Sequence, residues 1–463
     1  MPADQDLFST VTKVLAGAVS LGDICTKSAL MSNHQYAPET QMLGYGYKPE
    51  LSEGAVKCPV FQTSTFVFRS AEEGKAFFEM AHGKGNHAGK EMGLIYSRIN
   101  NPDMEVLEER LRLWDGGEMA AAFSSGMSAI ATSLLTYLRP GDLLLYSNPL
   151  YGGTHKFIHQ VLTSFGVEIV GFNAGESREL IHARLETSGH AHRLRMIYVE
   201  TPANPTNDLI DIALCRALAD QYSTEGQRVL VTVDNTYMGP LWQHPLKHGA
   251  DIVLYSATKY IGGHSDVIAG AVVGAKSVIM PVKKMRTVMG TMLDPHSCWL
   301  LMRSLETLKI RMETAARNAE LVAAFLLQHP KVEKVYYLGF TNFNHPDQER
   351  IFRNQYESKG AMLSFDVAGG EHEAFTFLNT LKHIKLAVSL GGTESLAEHP
   401  ATMTHADVPV EEKQQYGITS QMVRLSIGIE HPDDLIADIA QALDAVRVPS
   451  THAEKPVPSA ALV

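Results

Sequence analysis

The stretch Ser256-Ala257-Thr258-Lys259, followed by Gly262-Gly263-His264-Ser265, holds the residues best spaced for chemistry. Hydroxyls one and three residues before a lysine can hold a phosphate while the amine meets an aldehyde. A lysine Schiff base is the usual attachment of pyridoxal 5'-phosphate. On this fragment alone, a surface lysine in a Ser/Thr/Gly loop is an equal reading. The same letters also fit the Ser-x-x-Lys of penicillin-binding serine hydrolases. That motif should come with Ser-Asp-Asn and Lys-Thr-Gly, and neither occurs.

Asp234 closes the apolar run Val229 to Val233. A carboxylate at a strand end can keep a pyridine nitrogen protonated, and a protonated ring is the better sink for a carbanion's electrons. A capping aspartate is the plainer reading; Lys259 downstream at another strand end weighs against it. Ser124-Ser125-Gly126-Met127-Ser128 joins a short strand to a helix, where small residues let backbone N–H groups approach a phosphate. An ordinary N-cap has the same composition. Tyr151, in Pro149-Leu150-Tyr151-Gly152-Gly153-Thr154, could stack on an aromatic cofactor and move protons, or could be a structural loop residue. Arg424 lies in the strand-like run Val423 to Ser426 and is costly to bury without an anion. A substrate carboxylate would satisfy it bidentately. An internal Asp or Glu would serve equally well.

These residues need elements to position them. Met104 to Leu113 and Met127 to Leu138 carry apolar residues at helical spacing, the second stopped by Pro140 and Gly141. His155 to Phe165 and Ile212 to Tyr222 are further helices. Between them run short apolar strands at 120–124, 143–146, 167–172, 196–200, 229–233, 252–256 and 269–273. Such alternation predicts an α/β fold with a mostly parallel central sheet and helices on both faces. Ligands of such sheets sit beyond the carboxyl ends of the strands. Tyr151, Asn204, Asp234 and Lys259 each follow a strand within a few residues, and that coincidence outweighs any one of them. After about Pro295 the pattern changes to a long helical stretch from Leu300 to Leu327. Strands at 335–338, 361–367, 386–389 and 423–426 follow, with helices at 373–381 and 433–446. This predicts a smaller C-terminal α+β domain.

Composition bounds the rest. The chain has 463 residues, enough for two or three domains and a large core. Its net charge of -11 and its lack of a Lys/Arg block argue against nucleic acid as a partner. Cys25, Cys58, Cys215 and Cys298 are far apart, which fits buried thiols in a reducing cytoplasm better than disulfides or zinc. The histidines are scattered without His-Glu-x-x-His, so no metal site is expected. No Gly-x-Gly-x-x-Gly follows a strand, which disfavours a nicotinamide enzyme. No apolar run approaches the ~20 residues that cross a bilayer. Val14 to Leu21 is briefly apolar, but it follows Asp4 and Asp6 rather than a basic segment, so no secretory signal is expected. The first thirty or so residues are expected to form a loose extension, with Met31 as an alternative start, and the tail after Pro449 to be mobile.

Taken in order, these pieces resemble the Cys/Met-metabolism family of pyridoxal-phosphate enzymes, which includes cystathionine γ-synthase, cystathionine γ-lyase and methionine γ-lyase. The likeness spans about residues 38–446. It is carried by Ile95-Tyr96-Ser97-Arg98-Ile99-Asn100-Asn101-Pro102, the Ser124 to Met127 turn, Pro149 to Thr154, Glu200-Thr201-Pro202-Ala203-Asn204-Pro205, Val233 to Thr236, Ser256 to Gly263, Ser389-Leu390-Gly391-Gly392 and Met403-Thr404-His405. The resemblance implies the fold type I of pyridoxal-phosphate-dependent transferases. It implies an N-terminal extension and intersubunit arm at 1–95, a cofactor-binding domain at 96–295, the C-terminal domain at 296–448 and a tail at 449–463. It implies that Lys259 carries the cofactor as a Schiff base and shuttles protons. Asp234 would pair with the pyridinium, and Tyr151 would stack on the ring and act as acid or base. Gly126, Met127, Ser256 and Thr258 would bind the phosphate, joined by Tyr96 and Arg98 from a neighbouring subunit of a dimer of dimers. Asn204 would contact the ring hydroxyl, and Ser389 and Arg424 would hold the substrate carboxylate.

The same resemblance implies a γ-substituted L-amino acid as substrate, with protons lost at Cα and Cβ before the γ-substituent departs. Val388 precedes Ser389, where cystathionine-using relatives typically carry Glu and methionine γ-lyases typically carry Val. Against this, methionine γ-lyases usually carry Cys where Gly153 stands, and the segment Glu79 to Gly93 is longer than usual. The expectation is γ-elimination on a methionine-like substrate, giving 2-oxobutanoate and ammonia. The alternatives are γ-replacement on an O-acylhomoserine, a γ-lyase for an oxygen-linked substrate such as canavanine, and a non-enzymatic regulator on the same fold.

Overall fold

The apolar runs that end beside the candidate residues are strands, and they lie side by side. A computed structural model describes residues 36–84, 92–340 and 347–447. The loose extension, Met31, Val14 to Leu21, Cys25, the middle of the Glu79 to Gly93 segment and the tail from 449 lie outside the described residues. Residues up to Leu43 form a small unit of their own, with a short helix at Pro38–Gln41. From Gly44 onward the chain is a second unit built on two sheets.

The first sheet contains β1 (Met119–Phe123), β2 (Leu143–Asn148), β3 (Glu168–Asn173), β4 (Leu194–Glu200), β5 (Leu230–Asp234), β6 (Ile252–Tyr255) and β7 (Gly270–Gly274), in the order β1-β7-β6-β5-β4-β2-β3. All neighbours from β6 to β3 pair in parallel, and β7 alone runs against both β6 and β1. Strands of a parallel sheet are covered on both faces, so they read as unbroken apolar runs. Along β2, Leu144 and Tyr146 point into one layer of the core, and Leu143 and Leu145 into the other. Helices Gly126–Tyr137 and Lys276–Met289 cover the first layer, Arg178–Thr187 and Ile212–Tyr222 the second. Each fully buried leucine contributes roughly 2 kcal/mol of transfer free energy.

The second sheet has the order β10-β11-β12-β9-β8, built from β8 (Val332–Tyr336), β9 (Met362–Val367), β10 (Lys385–Leu386), β11 (Leu396–Glu398) and β12 (Met422–Ser426). Helices Leu308–Gln328, Glu371–Thr380 and Pro432–Ala445 belong to this part of the chain.

Several details differ from the sequence reading, among them the strand expected at 335–338, which lies at Val332–Tyr336. The stretch Leu300 to Leu327 is two helices, Pro295–Leu305 and Leu308–Gln328. The break at Glu306 and Thr307 is held by Arg311, whose guanidinium donates to the Ser304 carbonyl (3.0 Å) and to the Tyr260 carbonyl (2.9 Å). His155 to Phe165 passes from α-helix through a π-helical turn into a 3₁₀ turn. The strand expected at Leu386 to Ser389 is only Lys385–Leu386, because the chain leaves the sheet and Ser389 takes φ +95°. The helix Lys276–Met289 was not expected, since Pro281 lies inside it.

Among the described residues no helix is long and apolar enough to cross a membrane, and no group of three His, Cys, Asp or Glu could hold a metal ion. Cys58, Cys215 and Cys298 are buried free thiols.

Gly270 opens β7 beside the candidate phosphate turn. A Cβ there would run into the backbone carbonyl of Ser125, which cannot give way as a side chain can. Gly270→Ala is expected to cost about 2–3 kcal/mol of stability, measured by denaturant unfolding. A loss below about 0.5 kcal/mol would show that strand and turn do not press on each other.

Candidate active site

Strands β2, β4, β5 and β6 are consecutive neighbours and parallel, so their carboxyl ends open on one edge of the sheet. Tyr151, Asn204, Asp234 and Lys259 are carried to that edge by the four strands in turn. Asp234 is the last residue of β5 and pairs in register with Glu200, the last residue of β4. Glu200 is buried and bridges two loops. One of its oxygens accepts the Tyr151 N–H (2.7 Å), and the other accepts the Asn204 N–H (3.2 Å).

Asp234 is buried too. It accepts the Thr236 N–H (3.0 Å) and the Tyr198 hydroxyl (3.3 Å), and among the described residues it forms no ion pair. Burial pushes both carboxyls above their ordinary range, and Asp234 adds to the rise at Glu200. A buried acid with neutral donors and no cation suits a cationic ring nitrogen.

The candidate phosphate cradle lies across from these strand ends. Ser125 caps the helix Gly126–Tyr137: its hydroxyl accepts the Ser128 N–H (3.0 Å), and the Ser128 hydroxyl accepts the Ser125 N–H (3.0 Å). A Cβ on Gly126 would come 2.8 Å from the Ser256 Cβ, so the two turns touch only because residue 126 is glycine. The Ser256 N–H is fixed by the Thr236 hydroxyl (2.8 Å). The Thr258 hydroxyl donates to the Ala269 carbonyl (3.2 Å) and accepts its N–H (3.0 Å). It reaches a phosphate only by giving up that carbonyl.

Lys259 turns away from its own loop toward the second sheet. Its Nζ donates to the Ser389 Oγ (2.7 Å). The Ser389 carbonyl accepts from Arg424 (2.7 Å). Arg424 is 2 % exposed, forms an ion pair with Glu398 (2.7 Å) and donates to the Asn204 side-chain oxygen (3.0 Å). Of the two anions considered for Arg424, an internal carboxylate is therefore present, while its Nε remains buried without a partner. Burial and the Arg424 charge bring the Lys259 amine down to about 8, with Glu398 opposing.

Tyr96 and Arg98 stand outside this cluster. The Arg98 guanidinium lies 5.7 Å from the Tyr96 ring centroid and donates to the Thr287 carbonyl (2.8 Å). Sequence reasoning gave no role to Glu200, Tyr198, Thr236, Glu398 or Thr404. Glu200 stands at a strand end as Asp234 does, and that signal was available. The others depend on which strands pair.

With this geometry in view, the comparisons are consistent. The family model for the Cys/Met metabolism PLP-dependent enzymes matches residues 39–444. L-methionine gamma-lyase of Pseudomonas putida is 41 % identical over 408 residues, covering 88 % of this chain and 97 % of the relative. Cystathionine gamma-lyase of Bacillus subtilis is 39 % identical over 409 residues, covering 88 % and 99 %. The solved structure of cystathionine gamma synthase from Xanthomonas oryzae pv. oryzae, in complex with aminoacrylate and cysteine, matches with a TM-score of 0.78 at 31 % identity, covering 89 % and 99 %. The chain belongs to the Cys/Met metabolism family of pyridoxal-phosphate-dependent enzymes. Its cofactor is pyridoxal 5'-phosphate, and its own residues fit that group: a buried acid without a cation, a glycine-closed cradle and a lysine that burial brings down to about 8 stand at one sheet edge.

Only a neutral amine adds to an aldehyde. A lysine brought from its ordinary 10.5 to about 8 becomes mostly neutral above pH 8. Pyridoxal phosphate uptake by protein stripped of cofactor is expected to speed up about tenfold per pH unit below 8 and then level off, followed by visible absorbance. A rate still climbing at pH 10 would mark Lys259 as an ordinary lysine.

Proposed function

We propose that this enzyme catalyses γ-elimination on a methionine-like L-amino acid. Methionine and water would give methanethiol, 2-oxobutanoate and ammonia. The observation that carries this reading is Val388. It directly precedes Ser389, which holds Lys259, and its side chain is exposed. An uncharged apolar residue there suits an uncharged thioether and offers nothing to a distal ammonium or carboxylate. The 41 % identical relative named L-methionine gamma-lyase supports the same choice.

When bound, pyridoxal phosphate supplies the electron sink for bond breaking at Cα. Lys259 would hold the cofactor as a Schiff base, and its amine would move protons at Cα and Cβ of the substrate. Asp234 holds the ring nitrogen protonated. Tyr151, fixed through its backbone by Glu200, would lie against the ring and would protonate the departing sulfur. Gly126, Met127, Ser256 and Thr258 bind the phosphate. Asn204 offers its amide nitrogen to the ring hydroxyl, its oxygen being held by Arg424. Ser389 and Arg424 receive the α-carboxylate. Tyr96 and Arg98 complete the phosphate site of a neighbouring copy, which makes the working unit at least a dimer.

The alternative reading is γ-replacement on an O-acylhomoserine, and Gly153 does not favour it. A Cβ on Gly153 would lie 2.7 Å from the Tyr151 ring and 3.2 Å from the Met127 Sδ. Glycine is what lets the tyrosine ring and the methionine sulfur pack this closely, and it opens no space for a second substrate. Steady-state assays separate the two readings. Methionine alone is expected to yield 2-oxobutanoate and ammonia in equal amounts. No product without a second thiol, together with turnover of O-acylhomoserine plus cysteine, would sink the elimination reading.

A further inference from the structure

Arg424 and Glu398 face each other in register on the antiparallel strands β12 and β11. Both side chains are almost completely buried, at 2 % and 1 % exposure. One Glu398 oxygen takes the Arg424 Nη1 (2.7 Å) and the Thr404 hydroxyl (2.9 Å), and its second oxygen has no partner. Counting donors shows what this leaves. A guanidinium carries five N–H bonds. Nη1 donates to Asn204 and lies in the ion pair with Glu398, and Nη2 donates to the Ser389 carbonyl. The Nε–H and the other Nη2–H remain, and Nε is buried and unpartnered. The Nε/Nη2 side of a guanidinium is the edge that matches the two oxygens of a carboxylate, and here its Nε is unpartnered.

A buried arginine with no internal anion would hold any carboxylate tightly, including that of a 2-oxo acid product. Here one full negative charge already sits on the opposite edge. We propose that Glu398 is a positioning residue for carboxylate recognition: as the internal counter-ion of Arg424 it fixes the guanidinium with its Nε/Nη2 edge open and weakens the grip of that edge on the α-carboxylate. The consequence is a site that orients substrate well but releases a carboxylate product readily. This rests on the reading of Arg424 as the carboxylate receptor.

The test is calorimetric titration of the cofactor-loaded enzyme with L-norvaline, which has no γ-leaving group, and with L-norvalinamide, which has no carboxylate. Glu398→Gln keeps the shape and removes the charge. It is expected to bind norvaline roughly tenfold more tightly and the amide as before. Unchanged or weaker norvaline binding by the folded variant overturns the proposal, and so does equal tightening for the amide, since a merely structural effect would not depend on the carboxylate. Should Glu398→Gln not fold, the wild-type enzyme decides. A preference for norvaline over its amide below about tenfold supports the tempered arginine, and one above about a hundredfold overturns it. Arg424→Lys separates this from the reading beneath it. If norvaline binding does not weaken in that variant, Arg424 is not the carboxylate receptor and both fail. If it weakens while Glu398→Gln shows no gain, only the role of Glu398 falls.

Discussion

The site depends on one constraint: β2, β4, β5 and β6 are parallel neighbours, so the residues after each emerge at the same edge. A parallel sheet requires a crossover between successive strands, and those crossovers place helices on both faces. The sheet is thereby dry, and its carboxyl ends inherit that dryness. Glu200 and Asp234 end adjacent strands in register and are both buried. Their cost is met by specific donors rather than by water. Glu200 is satisfied by two backbone N–H groups from different loops, and this makes it a clamp. Moving either Tyr151 or Asn204 would leave a buried carboxyl oxygen unmatched.

The two sheets divide the work. The first carries the lysine, the buried acid and the glycine-closed turn, all within reach of its strand ends. The second carries Ser389, Arg424 and Glu398. The bond from Lys259 to Ser389 joins the halves, and it is not alone. Arg311 holds the Tyr260 carbonyl, and the Thr393 N–H donates to the Gly263 carbonyl (3.0 Å). The loop around Lys259 is therefore positioned from the second sheet as much as from its own strand. That explains why Arg311 breaks a helix that sequence would continue: its guanidinium is needed at Ser304 and Tyr260.

Most of the central sheet was legible because parallel strands are unbroken apolar runs and their ends fall at Pro, Gly and Asn-rich turns. Asp234 and Lys259 could be singled out for a related reason: Asp234 directly follows such a run, and Lys259 follows another within a few residues in a Ser/Thr/Gly loop. The second sheet was less legible. β11 is three residues long and β10 two, so neither shows a period. Glu398 could not be assigned without knowing that β11 pairs with β12 and sets it opposite Arg424. The alternative of an internal carboxylate for Arg424 could be written down, but which carboxylate it was lies in the register, not in the local sequence.

Ser389 shows how the local and long-range requirements meet. A serine at φ +95° is held against its own backbone preference. In that conformation its hydroxyl faces Lys259 and its carbonyl faces Arg424. An extended Ser389 would continue the strand that the sequence predicts, with its carbonyl in the plane of the sheet and its hydroxyl on one face. Gly391 follows with φ +74°, and a Cβ on it would lie 2.7 Å from the Tyr260 nitrogen. Residues 389 to 391 thus pass so close to the Lys259 loop that only glycine fits at one point. The close approach brings the amine, the hydroxyl and the guanidinium into one chain of hydrogen bonds. It also sets Val388, with its side chain exposed, directly beside the serine that holds the lysine.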